Sequence, residues 1–151
     1  MARSINDVGF DLIRRLEGCK LQAYTDVAGI WTIGYGHIKN PSVTPGMSIT
    51  QEQADQYLRD DLASAESAVD SATADVPTTD NQFSAMVLLC FNIGSGNFGA
   101  STVLRDHRAQ DYQAAAAAFG MWNKAHVGGQ LQEVAGLTNR RAAESELYLE
   151  A

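Results

Sequence analysis

Glu17, Asp26 and Thr32 are the residues of this 151-residue chain whose types and spacing best suit chemistry. The first carboxylate closes a predicted helix, the second follows nine residues later and the threonine six beyond that, within EGCKLQAYTDVAGIWTIGYGH. Two carboxylates held apart on different backbone elements are what hydrolysis of a glycosidic bond requires. One protonates the leaving oxygen and the other works on the opposite face of the sugar. Glu17 fits the acid, because a helix C-terminus disfavours a charged carboxylate and partial burial beneath a hairpin adds to that effect. Asp26, at the edge of a turn, is free to stay ionised. Thr32 has the donor and the acceptor to hold a water beside it. In an inverting arrangement the carboxyls stand about 6.5–9.5 Å apart to admit that water. Taken singly, each residue has a plainer account: a surface glutamate, an aspartate caught in turn hydrogen bonding, a threonine that packs.

The elements that must position these groups can be read from periodicity. Ile5, Val8, Leu12, Ile13 and Leu16 recur at helical spacing, with Ser4 or Asn6 placed to cap the start and Gly18 to end the helix after Glu17. Tyr24, Thr25, Ile30, Trp31, Thr32, Ile33 and Tyr35 are strand formers around a Val27-Ala28-Gly29 turn. Alternation puts Trp31, Ile33 and Tyr35 on one face and Ile30, Thr32 and Gly34 on the other. Thr32 then projects beside Gly34 and Gly36, which leave room for a ligand. Residues 39–49 read as loop.

Thr50-Gln51-Glu52-Gln53 has the form of a capping box, opening a helix with the stripe Ala54, Tyr57, Leu58, Leu62, Ala65, Val69 and Ala72. From Pro77 onward everything reads helical. A second box, Thr79-Asp80-Asn81-Gln82, opens the apolar helix FSAMVLLCFNI, which Gly94 should end. Residues 94–99 read as a glycine-rich loop and residues 102–107 as a short helix. Asp111 caps YQAAAAAFGMWNKA, residues 127–136 are irregular, and Thr138 starts a last helix.

Composition bounds the class. With 45% hydrophobic and 19% charged residues this is an ordinary soluble globular chain, long enough for one domain pinched into two lobes. No signal peptide is expected, since Asp7, Asp11, Arg14 and Arg15 interrupt every apolar run near the start. The most apolar segment, residues 85–93, is too short to span a membrane. A substrate beyond the cytoplasmic membrane would therefore need another agent of delivery. The net charge is −7, and residues 50–80 carry eight acids against Arg59 alone. That segment reads as the solvated face of a helix, with a partner-binding patch as the alternative. No basic patch appears, which argues against nucleic acid as a partner. Cys19 and Cys90 have no metal-ligand spacing and read as small buried residues in a reducing compartment, with a disulfide left open.

E-x8-D-x5-T followed at once by Ile33-Gly34-Tyr35-Gly36-His37 resembles the catalytic signature of phage-type lysozymes, the endolysins of glycoside hydrolase family 24. Phe91-Asn92-Ile93-Gly94, Ser101-Thr102-Val103-Leu104-Arg105, Trp122, and Gly136-Leu137 leading to Arg140-Arg141-x-x-Glu144 resemble later family blocks in the same order. The similarity covers nearly the whole chain. It implies an α+β, mostly helical, lysozyme-like fold in one domain, residues 1–151. A hairpin lobe would span about 15–49, a connecting helix 50–74, and a helical lobe 1–14 and 75–151, with the glycan in the cleft between.

The resemblance also implies inverting hydrolysis of the β-1,4 bond between N-acetylmuramic acid and N-acetylglucosamine in peptidoglycan. Glu17 would be the general acid, with Asp26 and Thr32 positioning the attacking water. No metal and no cofactor is implied. Gly36, Asn92 and Arg140 are the candidate substrate-binding residues. Asn92 either contacts the sugar's acetamido group or satisfies buried backbone. Arg140, across the cleft from Glu17, would favour the ionised carboxylate and oppose the effect of the helix end. His37 resembles a structural family histidine more than a base, and Trp31 and Tyr35 either stack on sugar or fill the small lobe. Many members are basic; here the acidic helix is expected to face away from the cleft, leaving modest salt sensitivity.

Peptidoglycan glycan strands are the implied partner, with no nucleic acid and no membrane insertion. The implied protein is a monomer that waits in the host cytoplasm until a holin-type pore admits it to the periplasmic wall. Three competing readings remain at this point. A lytic transglycosylase needs the glutamate but not the water site; a glycan-binding module on a lysozyme fold needs neither; a chitin-active hydrolase shares the chemistry.

Overall fold

Asn6 opens the first helix, α1 (Asp7–Glu17), its side-chain oxygen accepting the Gly9 N–H at 2.9 Å. The computed structural model describes residues 2–39 and 41–150, and the chain divides into two units, residues 11–63 and residues 1–10 with 64–151. Along α1 the buried hydrophobic residues are Phe10, Leu12 and Ile13, whereas Val8, expected on the apolar stripe, is exposed. Gly18 ends the helix in the left-handed region, φ +68°, its N–H returning to the Arg14 carbonyl at 3.1 Å.

In the unit of residues 11–63, β1 (Lys20–Thr25) pairs antiparallel with β2 (Trp31–Gly34), placing Tyr24 opposite Thr32 and Thr25 opposite Trp31. The expected turn over residues 27–29 closes this hairpin, with the Gly29 N–H on the Asp26 carbonyl at 2.9 Å. Residues 47–49, read as loop, line the other edge of β1: Ala23 donates to Met47 and Ile49 to Leu21, both at 2.9 Å. Asn40, in the same expected loop, lies outside the described residues. Gly34 and Gly36 both take positive φ, which lets Ile33 and His37 exchange N–H···O bonds of 2.9 Å around Tyr35.

Helix α2 (Gln51–Thr73) opens with the expected box, Gln53 N–H to Thr50 Oγ1 at 3.1 Å and Thr50 N–H to Gln53 Oε1 at 2.9 Å. Leu12, Ile13, Ile33, Ile49, Ala54, Leu58 and Leu62 form the core of this unit. His37 is buried against it. Its Nδ1 meets Asp61 Oδ2 and its Nε2 the Pro41 carbonyl, both at 2.8 Å, and its ring stacks on Tyr57 at 4.4 Å.

In the other unit, α3 (Asp80–Ile93) buries eight consecutive residues, Phe83 to Cys90, and packs on α7 (Ala135–Leu149). Its box at Thr79 and Gln82 is formed as expected, and Gly94 ends it. The expected loop at 94–99 holds a helical turn, α4 (Ser95–Gly99), fastened by Asn97 Nδ2 to the Ile93 carbonyl at 2.9 Å. After α5 (Thr102–Arg108), capped by Ser101, helix α6 (Tyr112–Ala118) stops short and continues only as a 3-10 turn over Phe119–Trp122.

The stretch expected to be helical and then irregular contains a second hairpin, β3 (Lys124–Val127) and β4 (Gln130–Glu133). Gly128 and Gly129 turn it with φ +58° and +83°, the pair of positive angles that suits a two-residue hairpin turn. Both strands are almost wholly exposed. Helix α7 then begins three residues before the expected Thr138.

The acidic stretch is not a plain solvated face. Asp55 pairs with Arg14 at 3.2 Å, Asp61 with His37, Asp70 with Arg3 at 2.7 Å and Asp75 with Arg108 at 2.7 Å. Glu66 Oε2 accepts the Ile5 N–H at 2.7 Å. Five of the eight acids thus hold a main-chain group or a side chain from elsewhere. Both cysteines are free, and Cys19 is exposed where burial was expected. Among the described residues no helix is long and apolar enough to cross a membrane.

Candidate active site

Glu17, Asp26, Thr32 and Gly36 all belong to the unit of residues 11–63. Glu17 stands in the last turn of α1, half-buried. A β-carbon built on Gly36 would come within 4.0 Å of Glu17 Oε2, so a side chain at position 36 would begin to cover the carboxylate. The bare glycine adds no side chain over the carboxylate from that position. A polar chain fixes the helix end. Arg14 Nη1 pairs with Asp55 Oδ2 at 3.2 Å, and Gln51 Nε2 donates to Asp55 Oδ1 at 3.0 Å and to the Tyr35 hydroxyl at 2.8 Å. These bonds tie the turn of α1 preceding Glu17 to the first turn of α2 and to the residue before Gly36. Burial pushes the Tyr35 phenol up, keeping it neutral beside this chain.

Asp26 and Thr32 share one anchor. The Ile30 carbonyl accepts both the Asp26 N–H and the Thr32 hydroxyl, each at 2.9 Å. Asp26 Oδ1 accepts the N–H groups of Ala28 at 2.8 Å and Ile30 at 2.9 Å. This is the turn hydrogen bonding foreseen as the plain account of Asp26, and it engages only one carboxylate oxygen. Among the described residues, Asp26 Oδ2 and the Thr32 oxygen accept no hydrogen bond. Thr32 is buried to 4% exposure, so its hydroxyl direction is fixed by the main chain rather than by bulk water.

Asn92 and Arg140 are carried by the other unit. Asn92 is exposed at the end of α3, its Oδ1 accepting from Arg141 Nη2 at 2.7 Å. Arg140 is buried, with Nε on Glu144 at 3.0 Å and Nη2 on the Leu88 carbonyl at 3.3 Å. Arg141 meets the same glutamate at 2.9 Å. The Arg140-Arg141-x-x-Glu144 run is therefore a buried ionic cluster on one face of α7, adjoining Asn92.

His37 uses both ring nitrogens on Asp61 and Pro41, which matches a structural histidine. Tyr35 is buried, as the core reading of it required, and Trp31 is half-buried. Sequence reasoning missed Ile30, whose contribution is entirely main-chain. The signal available was the turn type: an aspartate opening a turn whose fourth residue is glycine commonly bonds N–H groups beyond it.

The sequence matches the phage lysozyme family over residues 14–144. An endolysin of Acyrthosiphon pisum secondary endosymbiont phage 1 is 44% identical over 144 residues, covering 95% of this chain and 97% of its own. Among solved structures, an endolysin from Escherichia coli O157:H7 phage FAHEc1 superposes with a TM-score of 0.95 at 41% identity, covering 99% of this chain and 96% of that one. The muramidase domain of SpmX from Asticaccaulis excentricus gives 0.90 at 40% identity, covering 99% of each chain.

Proposed function

The chain belongs to the phage lysozyme family, and from that premise we propose a muramidase that cleaves the β-1,4 bond between N-acetylmuramic acid and N-acetylglucosamine with inversion. Glu17 donates its proton to the leaving glycosidic oxygen as the C–O bond breaks. A water held by Asp26 and Thr32 attacks the anomeric carbon from the opposite face and gives its proton to Asp26. One proton leaves Glu17 and one reaches Asp26, so proton exchange with solvent resets the pair. The observation that carries this reading is the shared anchoring of Asp26 and Thr32 on the Ile30 carbonyl, in the same unit as Glu17.

Asn92 and Arg140 are proposed to act on the substrate side indirectly, Arg140 by holding the Glu144–Arg141 cluster that orients Asn92. The protein is further proposed to act as a monomer on the periplasmic wall. It would accumulate in the host cytoplasm and reach the wall through a separate holin-type pore.

Glu17→Gln tests the assignment. It should lower clearing of permeabilised Gram-negative cells by at least about a hundredfold, the scale of a lost general acid, at unchanged melting temperature. Full activity in that variant would end the role of Glu17. Mass spectrometry of digested peptidoglycan tests the reaction type: reducing muramic ends mark hydrolysis, whereas anhydro ends would replace this reading with transglycosylation.

A further inference from the structure

We propose that the Ile30 main chain is a positioning group for the hydrolysis, making Asp26 and Thr32 a matched pair of acceptors for the attacking water. The inference rests on the roles given above to positions 17, 26 and 32. A water molecule attacks through a lone pair, so it is best presented with both hydrogens held by acceptors. A carboxylate always accepts, but a hydroxyl can turn either way. A threonine donating to the water would occupy one of its two lone pairs and draw electron density from the other, making a poorer nucleophile than a water donating to two acceptors.

Ile30 removes that ambiguity through three bonds. Its carbonyl takes the Thr32 proton at 2.9 Å, leaving that oxygen only lone pairs to offer. The same carbonyl takes the Asp26 N–H at 2.9 Å, which sets the two residues at a fixed separation. Its own N–H, also at 2.9 Å, joins that of Ala28 on Asp26 Oδ1, so that Oδ2 is the oxygen left for the water. The Ile30 side chain is 45% exposed and takes no part. One residue thereby sets the polarity of both arms.

Replacing Ile30 by its α-hydroxy analogue, through nonsense suppression, deletes the N–H and keeps side chain and carbonyl. On soluble, uncrosslinked glycan strands kcat should fall at least about tenfold with KM held within about twofold, the mark of a misplaced nucleophile rather than weaker binding. In water–methanol mixtures the ratio of methanolysis to hydrolysis should rise, because a loosened site no longer selects water. The same replacement at Gly46, an exposed residue whose N–H and preceding carbonyl make no hydrogen bond among the described residues, should leave kcat, KM and this ratio unchanged.

A folded Ile30 ester with wild-type kcat and product ratio would overturn the proposal. Amide exchange decides the matter if the ester does not fold. The Ala28 and Ile30 amides should be protected in the wild type and in Asp26→Asn, whose side-chain oxygen still accepts, and unprotected in Asp26→Ala. Free exchange in the wild type would likewise overturn it. Glu17→Gln on the same strands separates the layers: activity there defeats the site reading itself, while its loss beside an unaffected ester defeats only the role of Ile30.

Discussion

In the proposed mechanism Thr32 acts through a single hydroxyl. Thr32→Val keeps the volume and branching and removes only the oxygen. It should lower kcat about a hundredfold with little change in KM, on the scale of a displaced reacting group. The cost in stability should be about 1 kcal/mol, since the Ile30 carbonyl retains the Asp26 N–H. Thr32→Ser should keep most of the activity; kinetics on soluble strands with a thermal melt check all three expectations. The residue types and the nine- and six-residue intervals were legible in the sequence. The direction of the Thr32 proton was not, because a carbonyl two residues away decides it and sequence carries no mark of a main-chain partner. His37 shows the same limit. Two readings stood open for it until Asp61, 24 positions on, and the Pro41 carbonyl were seen to take both ring nitrogens.

At the level of elements, local signals read well and exposed ones did not. The boxes at Thr50 and Thr79 were legible because their hydrogen bonds span three residues and need no tertiary partner. The second hairpin was missed for a physical reason: its strands are exposed on both faces, so no apolar alternation betrays them, and only Gly128-Gly129 signals the turn. The turn α4 hides in a glycine-rich run for the same lack of pattern. The link from α5 to α6 carries a testable strain. Gln110 takes φ +59°, with its N–H on the His107 carbonyl and the Asp111 N–H on the Asp106 carbonyl, both at 2.9 Å. This is a left-handed helix end that glycine favours. Gln110→Gly should raise stability by about 0.5–1 kcal/mol, or about 2–3 °C in Tm, at unchanged activity.

Across the whole molecule, acid should be the condition that weakens the fold. His107 is fully buried, its Nδ1 on the Tyr148 hydroxyl at 2.6 Å and its Nε2 on Thr78 Oγ1 at 2.9 Å, with the Tyr112 ring edge-on. Burial first, and then the charges of Arg3 and Arg108, push it down from 6.5 to about 4. Between those values the unfolded chain binds a proton that the native chain refuses, so stability falls as pH falls through the window. The loss is on the order of 3 kcal/mol if the whole shift is realised. Below it, Asp70 and Asp75, held down by Arg3 and Arg108, extend the loss. Asp61, raised by burial, works in the opposite sense. Urea unfolding between pH 7 and pH 4 checks this, and His107→Gln should flatten the slope while lowering stability at pH 7. Charge at this scale was legible only as a sum: the −7 was plain, but not that most acids of residues 50–80 already hold a partner. The tip of the second hairpin has a practical corollary. Chain leaves at Val127 and re-enters at Gln130 through two glycines, on strands that bury almost nothing. A guest peptide spliced between those glycines would ride outside the folded body, which makes this tip a port for grafting a second module onto the enzyme.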